Sequence, residues 1–168
     1  AEVKDAGKIL RFTGDVWRDH ACCVTVVSEN FLASGAEKGQ GLVNALAASQ
    51  LAIADDRTAA AAILSDGGYL PQPLAAIERA LTHYATEEYF ESGAIVNREW
   101  SSDRIGFQPF AFPSYTEKLV SSLKETLIDG DSSFLSSLDA TTAHSELVVD
   151  GLARAAIEAN GGLERFRL

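Results

Sequence analysis

The stretch Gly14-Asp-Val-Trp-Arg-Asp-His-Ala-Cys-Cys-Val-Thr-Val-Val27 decides how this chain is read. A polar, aromatic turn (Trp17, Arg18, Asp19, His20) runs directly into an apolar segment from Cys22 to Val27. Apolar runs of this length, rich in β-branched residues and bounded by polar turns, read as strands buried on both faces. A buried strand fed by such a turn presents polar groups at the mouth of a ligand cleft. A core strand with its turn folded over it carries the same pattern, so the pattern leaves both readings open.

Working outward, Lys8-Ile-Leu-Arg-Phe-Thr13 reads as a second short strand, ended by Gly14. From Ala36 onward Leu42, Leu46 and Ile53 recur at helical spacing, with Val43 and Gln50 beside them. Asp55-Asp56 breaks that helix, and Asp56 is placed to cap the next one over Thr58 to Leu64. Pro73 fits the first position of a helix to about Tyr84, and Thr86-Glu-Glu opens a short one through Phe90. Ser114-Tyr-Thr-Glu117 has the spacing of a capping box, opening a helix to about Ile128 with Leu119, Val120, Leu123 and Leu127 buried. A last helix is expected from Val149 to Ala159, closed by Asn160-Gly-Gly162. Residues 94–113 lack a helical period, and Pro109 and Pro113 keep them irregular. The pattern predicts a helix-rich α+β chain with a small sheet, forming a single domain over residues 1–168.

Composition narrows the function classes. The hydrophobic fraction of 46% is enough for a core. No apolar run is long enough to span a bilayer. The formal charge is −10, and lysine is confined to Lys4, Lys8, Lys38, Lys118 and Lys124. Such a surface repels nucleic acid and anionic lipid, so neither is an expected partner. Lysine-poor, acid-rich composition fits a protein kept soluble at high salt and equally an acidic mesophilic one. Cys22 and Cys23 are the only cysteines. In a strand adjacent side chains point to opposite faces, which disfavours a bridge between them, and both read as small buried hydrophobes. His83 and His144 stand on helices without partners at ligand spacing, so both read as structural or solvated and no metal site is expected. Phosphate-binding, dinucleotide and hydrolase motifs are missing from the sequence, and no catalytic residues or cofactor are expected.

Three pieces of the chain carry a family likeness. Asp15-Val-Trp-Arg-Asp-His-Ala-Cys-Cys-Val-Thr-Val-Val-Ser-Glu-Asn-Phe31 is similar to a tryptophan-histidine turn, a strand and an acidic-phenylalanine turn found in one group. Gly39 to Ile53 followed by Asp55-Asp-Arg-Thr-Ala-Ala-Ala-Ala-Ile-Leu64 is similar to its long helix, acidic turn and alanine-rich helix. Ile105-Gly-Phe-Gln-Pro-Phe-Ala-Phe-Pro-Ser114 is similar to a segment that closes over its cleft. The chain thereby resembles the periplasmic solute-binding proteins of ABC importers, in the nitrate, sulfonate, taurine and bicarbonate group. Ala21 departs from the proline common in the family turn.

Family members are roughly twice this length, so the resemblance covers their C-terminal half, a lobe portion of the type II periplasmic-binding fold. It implies an extracytoplasmic substrate-binding component, lipid-anchored in its parent, that passes a small anion or sulfonate to importer membrane subunits. A homodimer is one way to cover a half-fold's exposed core. Within the same fold group, a thiamine-pyrimidine-synthase-like enzyme with a pyridoxal cofactor is the catalytic alternative, to which His20 with Cys22-Cys23 bears a faint likeness. A solute-sensing regulatory domain on a transporter ATPase is the third reading.

The resemblance carries ligand contacts onto Asp15, Trp17 and His20 in the turn, and capping of local backbone is the competing role for His20. From residue chemistry alone, Arg98, Trp100 and Arg104 form a second candidate group, because a planar guanidinium suits nitrate, sulfonate or carboxylate oxygens. Surface pairing with Glu99 and Asp103 is the competing role for the two arginines. Gln108, with Phe110, Phe112 and Tyr115, is placed to form a lid or to anchor its loop.

Overall fold

The structure, a computed structural model, describes residues 2–82, 87–99 and 105–168. Among the described residues the regular elements are all helical. The α-helices are α1 (Thr13–Val16), α2 (Glu29–Ala33), α3 (Ala36–Asp55), α4 (Arg57–Asp66), α5 (Leu74–Thr82), α6 (Glu87–Glu91), α7 (Pro113–Glu125), α8 (Phe134–Ser137), α9 (Ala143–Leu147) and α10 (Asp150–Ala159). Single 3-10 turns lie at Glu2–Lys4 and Leu163–Phe166.

The expected α+β lobe with its small sheet is overturned, since no strand occurs among the described residues. Residues 7–12 are irregular, and Thr13 opens α1 instead of closing a strand. Residues 22–27 are irregular too, and no backbone hydrogen bond among the described residues involves them. The cause is the difference between the two regular structures. A helix closes its hydrogen bonds within one segment, whereas a strand bonds only to a neighbour. β-propensity expresses fit to a pleated, half-buried surface, and the fold offers these two runs no such surface. Leu10 is accordingly 90% exposed and Val26 85% exposed.

The chain divides into two compact units, one of residues 1–20 and 48–108, the other of residues 21–47 and 109–168. In the first unit α4 and α5 pack as a helical pair around buried Ala61, Ile77 and Leu81, with Ile53, Leu64 and Phe107 against them. Asp56 starts α4 as expected, accepting the Ala59 N–H at 2.9 Å. Arg57 joins three pieces. Its guanidinium donates to the carbonyls of Leu81 (3.3 Å) and Ile105 (2.7 Å) and lies over the Phe107 ring. A cation at the last carbonyls of α5 also complements the negative end of that helix. A second cluster buries Tyr89, Ala94 and Ile95 against Ile9, Phe12 and Phe90. There the Phe12 N–H donates to the Ala94 carbonyl at 3.1 Å, and Phe12 meets Tyr89 edge-on at 5.0 Å.

The second unit buries Val120, Leu135, Ala143, Ala156, Ile157 and Phe166. Gly39 on α3 packs closely, since a Cβ there would stand 3.3 Å from the Leu32 side chain, which would have to give way slightly, and 3.5 Å from that of Leu152. Next to it Gln40 donates to Asn44 Oδ1 and to the Leu152 carbonyl, tying α3 to α10. α7 departs from the expected capping box: Phe112 is the N-cap, Pro113 takes the first turn, and no side chain caps the helix. α7 also ends at Glu125, so Leu127 lies past the helix and is fully exposed rather than buried.

The chain exposes 11394 Å² of surface. Two separate compact bodies of half its mass would together expose only about 9,700 Å². The excess therefore does not depend on how the units are arranged. The groups left in solvent include the apolar side chains of Leu10, Val24, Val26 and Leu127.

Candidate functional site

Asp15 is the pivot of the first unit. Its carboxylate is fully buried within α1 and accepts the backbone N–H groups of Val96 (2.9 Å) and Asn97 (2.8 Å). The Arg11 guanidinium completes the arrangement at 2.7 Å, one turn away. Two backbone donors and a cation satisfy a buried carboxylate well. Asp15 is thus a structural tie that fastens the α1 turn to the segment that carries Arg98.

The turn after α1 reverses at Asp19, whose φ of 55° is tolerated by a short polar side chain. That reversal brings the His20 imidazole back onto Trp17, with ring centroids 6.2 Å apart and an interplanar angle of 28°. His20 Nδ1 lies 2.8 Å from the Trp17 carbonyl, which only accepts, so Nδ1 carries the proton. Nε2 is then the nitrogen left for a further hydrogen bond, as an acceptor when neutral and as a donor when the ring is charged. Both rings are half-buried.

Arg98 follows directly on the Asp15-bound backbone. It is exposed, lies over the Phe90 ring at 4.6 Å, and pairs with Glu87 at 3.3 Å. The acid it pairs with is therefore Glu87 on α6. The Glu99 N–H donates instead to Asn97 Oδ1. An exposed pair of this kind is worth under about 1 kcal/mol, so an anion can take Glu87's place at little cost. Trp100, Asp103 and Arg104 lie outside the described residues, as does His83. Gln108 contributes its carbonyl to Gln50 Nε2 at 3.4 Å and anchors its own loop. In the second unit Phe110 and Phe112 meet edge-on at 5.2 Å, Arg154 covers Phe110, and the Tyr115 hydroxyl donates to the Ala21 carbonyl.

Two hollows lie elsewhere in the first unit. One of about 290 Å³ is bordered by Glu2, Asp5, Lys8, Arg79 and Glu88. The other, about 200 Å³ and apolar, is bordered by Leu64, Leu70, Ala76, Ile77 and Leu81. Beside the first, Glu2 Oε2 accepts from Arg79 Nε (3.1 Å) and from the Tyr89 hydroxyl (2.9 Å). Burial pushes the Glu2 carboxyl up, but the Tyr89 and Arg79 hydrogen bonds outweigh it and hold the group below its ordinary value. For Tyr89, burial and its bond to Glu2 push the phenol up.

The second unit holds a group the sequence did not reveal. His144 is 8% exposed; Nδ1 lies 2.9 Å from Thr116 Oγ1 and Nε2 3.1 Å from Asp150 Oδ1. Arg154 reaches the other oxygen of Asp150 at 3.5 Å. Thr116, His144 and Asp150 stand on α7, α9 and α10, so the ring fastens three helices at once. Spacing along the chain cannot show this, because the partners are 28 and 6 residues away. The two cysteines are free thiols and differ from expectation in burial, since both are exposed.

No group of three or more His, Cys, Asp or Glu side chains able to hold a metal occurs among the described residues. None of the described helices is long and apolar enough to cross a membrane. Comparison with protein-family models, curated proteins and solved structures finds no match to this chain.

Proposed function

We propose that the chain is the solute-capturing component of an ABC importer for a small anion or sulfonate, acting outside the cytoplasm and delivering to the importer's membrane subunits. The observation that carries this reading is the Asp15 tie. By binding the N–H groups of Val96 and Asn97, it links the Trp17–His20 turn to the loop of Arg98. An aromatic wall, an imidazole and an exchangeable guanidinium are then held in one unit, and these groups suit oxygens of nitrate, bicarbonate or a sulfonate. Arg98 supplies charge, His20 a directional hydrogen bond in its charged form, and Trp17 an apolar wall for a short tail. The exposed apolar surface supports a ligand shell completed by a second body, with closure of the two around the solute.

Held on one side only, the ligand is expected to bind weakly, with a Kd near ~1 mM, or about −4 kcal/mol. The test is a titration of the chain with nitrate, bicarbonate, taurine and an alkylsulfonate, read by Trp17 fluorescence in a Trp100→Phe background. Saturable quenching by at least one anion, lost in Arg98→Ala and in His20→Ala, is expected. Absence of saturation by all four, or saturation unchanged in both variants, rejects the reading.

A further inference from the structure

Cys22 and Cys23 have a geometry that adjacent cysteines in a strand cannot have. Their Sγ atoms are 3.8 Å apart, with Cys23 donating its S–H to Cys22. In a strand the two would face opposite sides. Both thiols are exposed and free. The backbone of residues 22–27 is held by no backbone hydrogen bond among the described residues, so the sulfurs can close on a ligand without breaking a ladder. Exposed Val24 beside them adds apolar surface for an organic substituent.

We propose that Cys22 and Cys23 form a vicinal dithiol site for a thiophilic trivalent arsenical, the metalloid bridging the two sulfurs. Two features select this ligand class. A disulfide needs sulfurs about 2.05 Å apart and closes a strained ring between neighbouring residues. An inserted atom bridges a wider gap, closer to the one present. Tetrahedral metals want three or four protein donors, and no group of three such side chains occurs among the described residues. A ligand satisfied by two sulfurs fits what is there.

The chemistry balances without an oxidant. Phenylarsine oxide reacts with two thiols; both S–H bonds break, two As–S bonds form, and the oxo group leaves as water with the two protons. Arsenic stays trivalent and no sulfur is oxidised. The hydrogen bond with Cys22 pushes the Cys23 thiol up from its ordinary value. The site is independent of the anion-capture reading.

The test incubates the reduced chain with one equivalent of phenylarsine oxide and reads intact mass and free thiols. One arsenical per chain, loss of both titratable thiols, survival in excess glutathione and release by ethanedithiol are expected. Cys22→Ser and Cys23→Ser, both at exposed positions, are each expected to lower affinity by about 10²-fold or more, because the second As–S bond forms intramolecularly in the wild type. Circular dichroism checks that the variants keep their helix. A wild-type chain that forms no glutathione-resistant adduct overturns the proposal. So does a single-cysteine variant whose adduct is equally resistant.

Discussion

The α4–α5 pair and residues 22–27 are both apolar, yet they end up in opposite conditions. α4 and α5 bury Ala61, Ile77 and Leu81, while Val24 and Val26 stand in solvent. Apolar content does not separate them. Each helix satisfies its own backbone and needs only one face covered. A β-prone run needs a neighbouring strand before its side chains have a surface to pack on, and none is present among the described residues. An exposed, uncharged run of high β-propensity is free to pair with a similar run of another chain.

The largest effect is expected in the helical pair. Ile77→Ala should cost about 3 kcal/mol through the cavity it leaves, measured by urea unfolding. A loss under ~1 kcal/mol would mean that the α4–α5 core is loosely packed. Asp15→Ala comes next, at about 2 kcal/mol, because it strands two backbone N–H groups. Asp15→Asn keeps one acceptor and should cost less; equal losses in the two variants would show that the tie is made by charge alone. In the second unit His144→Ala should cost a further ~1–2 kcal/mol by freeing Thr116 and Asp150 from one another.

Val26→Lys lies at the other end of the comparison. It should change stability by no more than about 0.5 kcal/mol and lower the tendency to associate, read by light scattering. A large destabilisation would place Val26 inside a core. The smallest effect is the response to pH. The Glu2 carboxyl lies below its ordinary value when folded, so its contribution is present above that value and lost as pH falls through the folded one. Tyr89 is raised, so its contribution is present below the ordinary phenol value and lost as pH rises through the folded one. Arg79→Ala should flatten the acid limb measurably in a pH series of thermal melts.

Much of the helical order was legible in the sequence, because it is written locally. The stripe through Leu42, Leu46 and Ile53 runs along α3, and Asp56 caps α4. The last helix lies within one residue of expectation. Ser114 was misleading because Pro113, one residue earlier, already takes the first turn of α7. The strands failed for a non-local reason, since valine content cannot state whether a partner strand exists. In the candidate site, the resemblance singles out the turn and residue chemistry singles out Arg98, but neither shows the backbone hydrogen bonds of Asp15. A carboxylate that binds backbone 81 residues away looks, in sequence, like one that binds a ligand. The same limit hid His144, whose partners are brought to it by helix packing.

Amide hydrogen exchange resolved by residue tests the central comparison most directly. Residues 22–27 should exchange at close to the rate of an unstructured peptide, while the α4 and α5 amides around Ala61 and Ile77 are protected as strongly as any in the chain. Protection of the 22–27 amides equal to that of α4 would show that this run is laddered into a sheet, and would contradict the unpaired state on which the account rests.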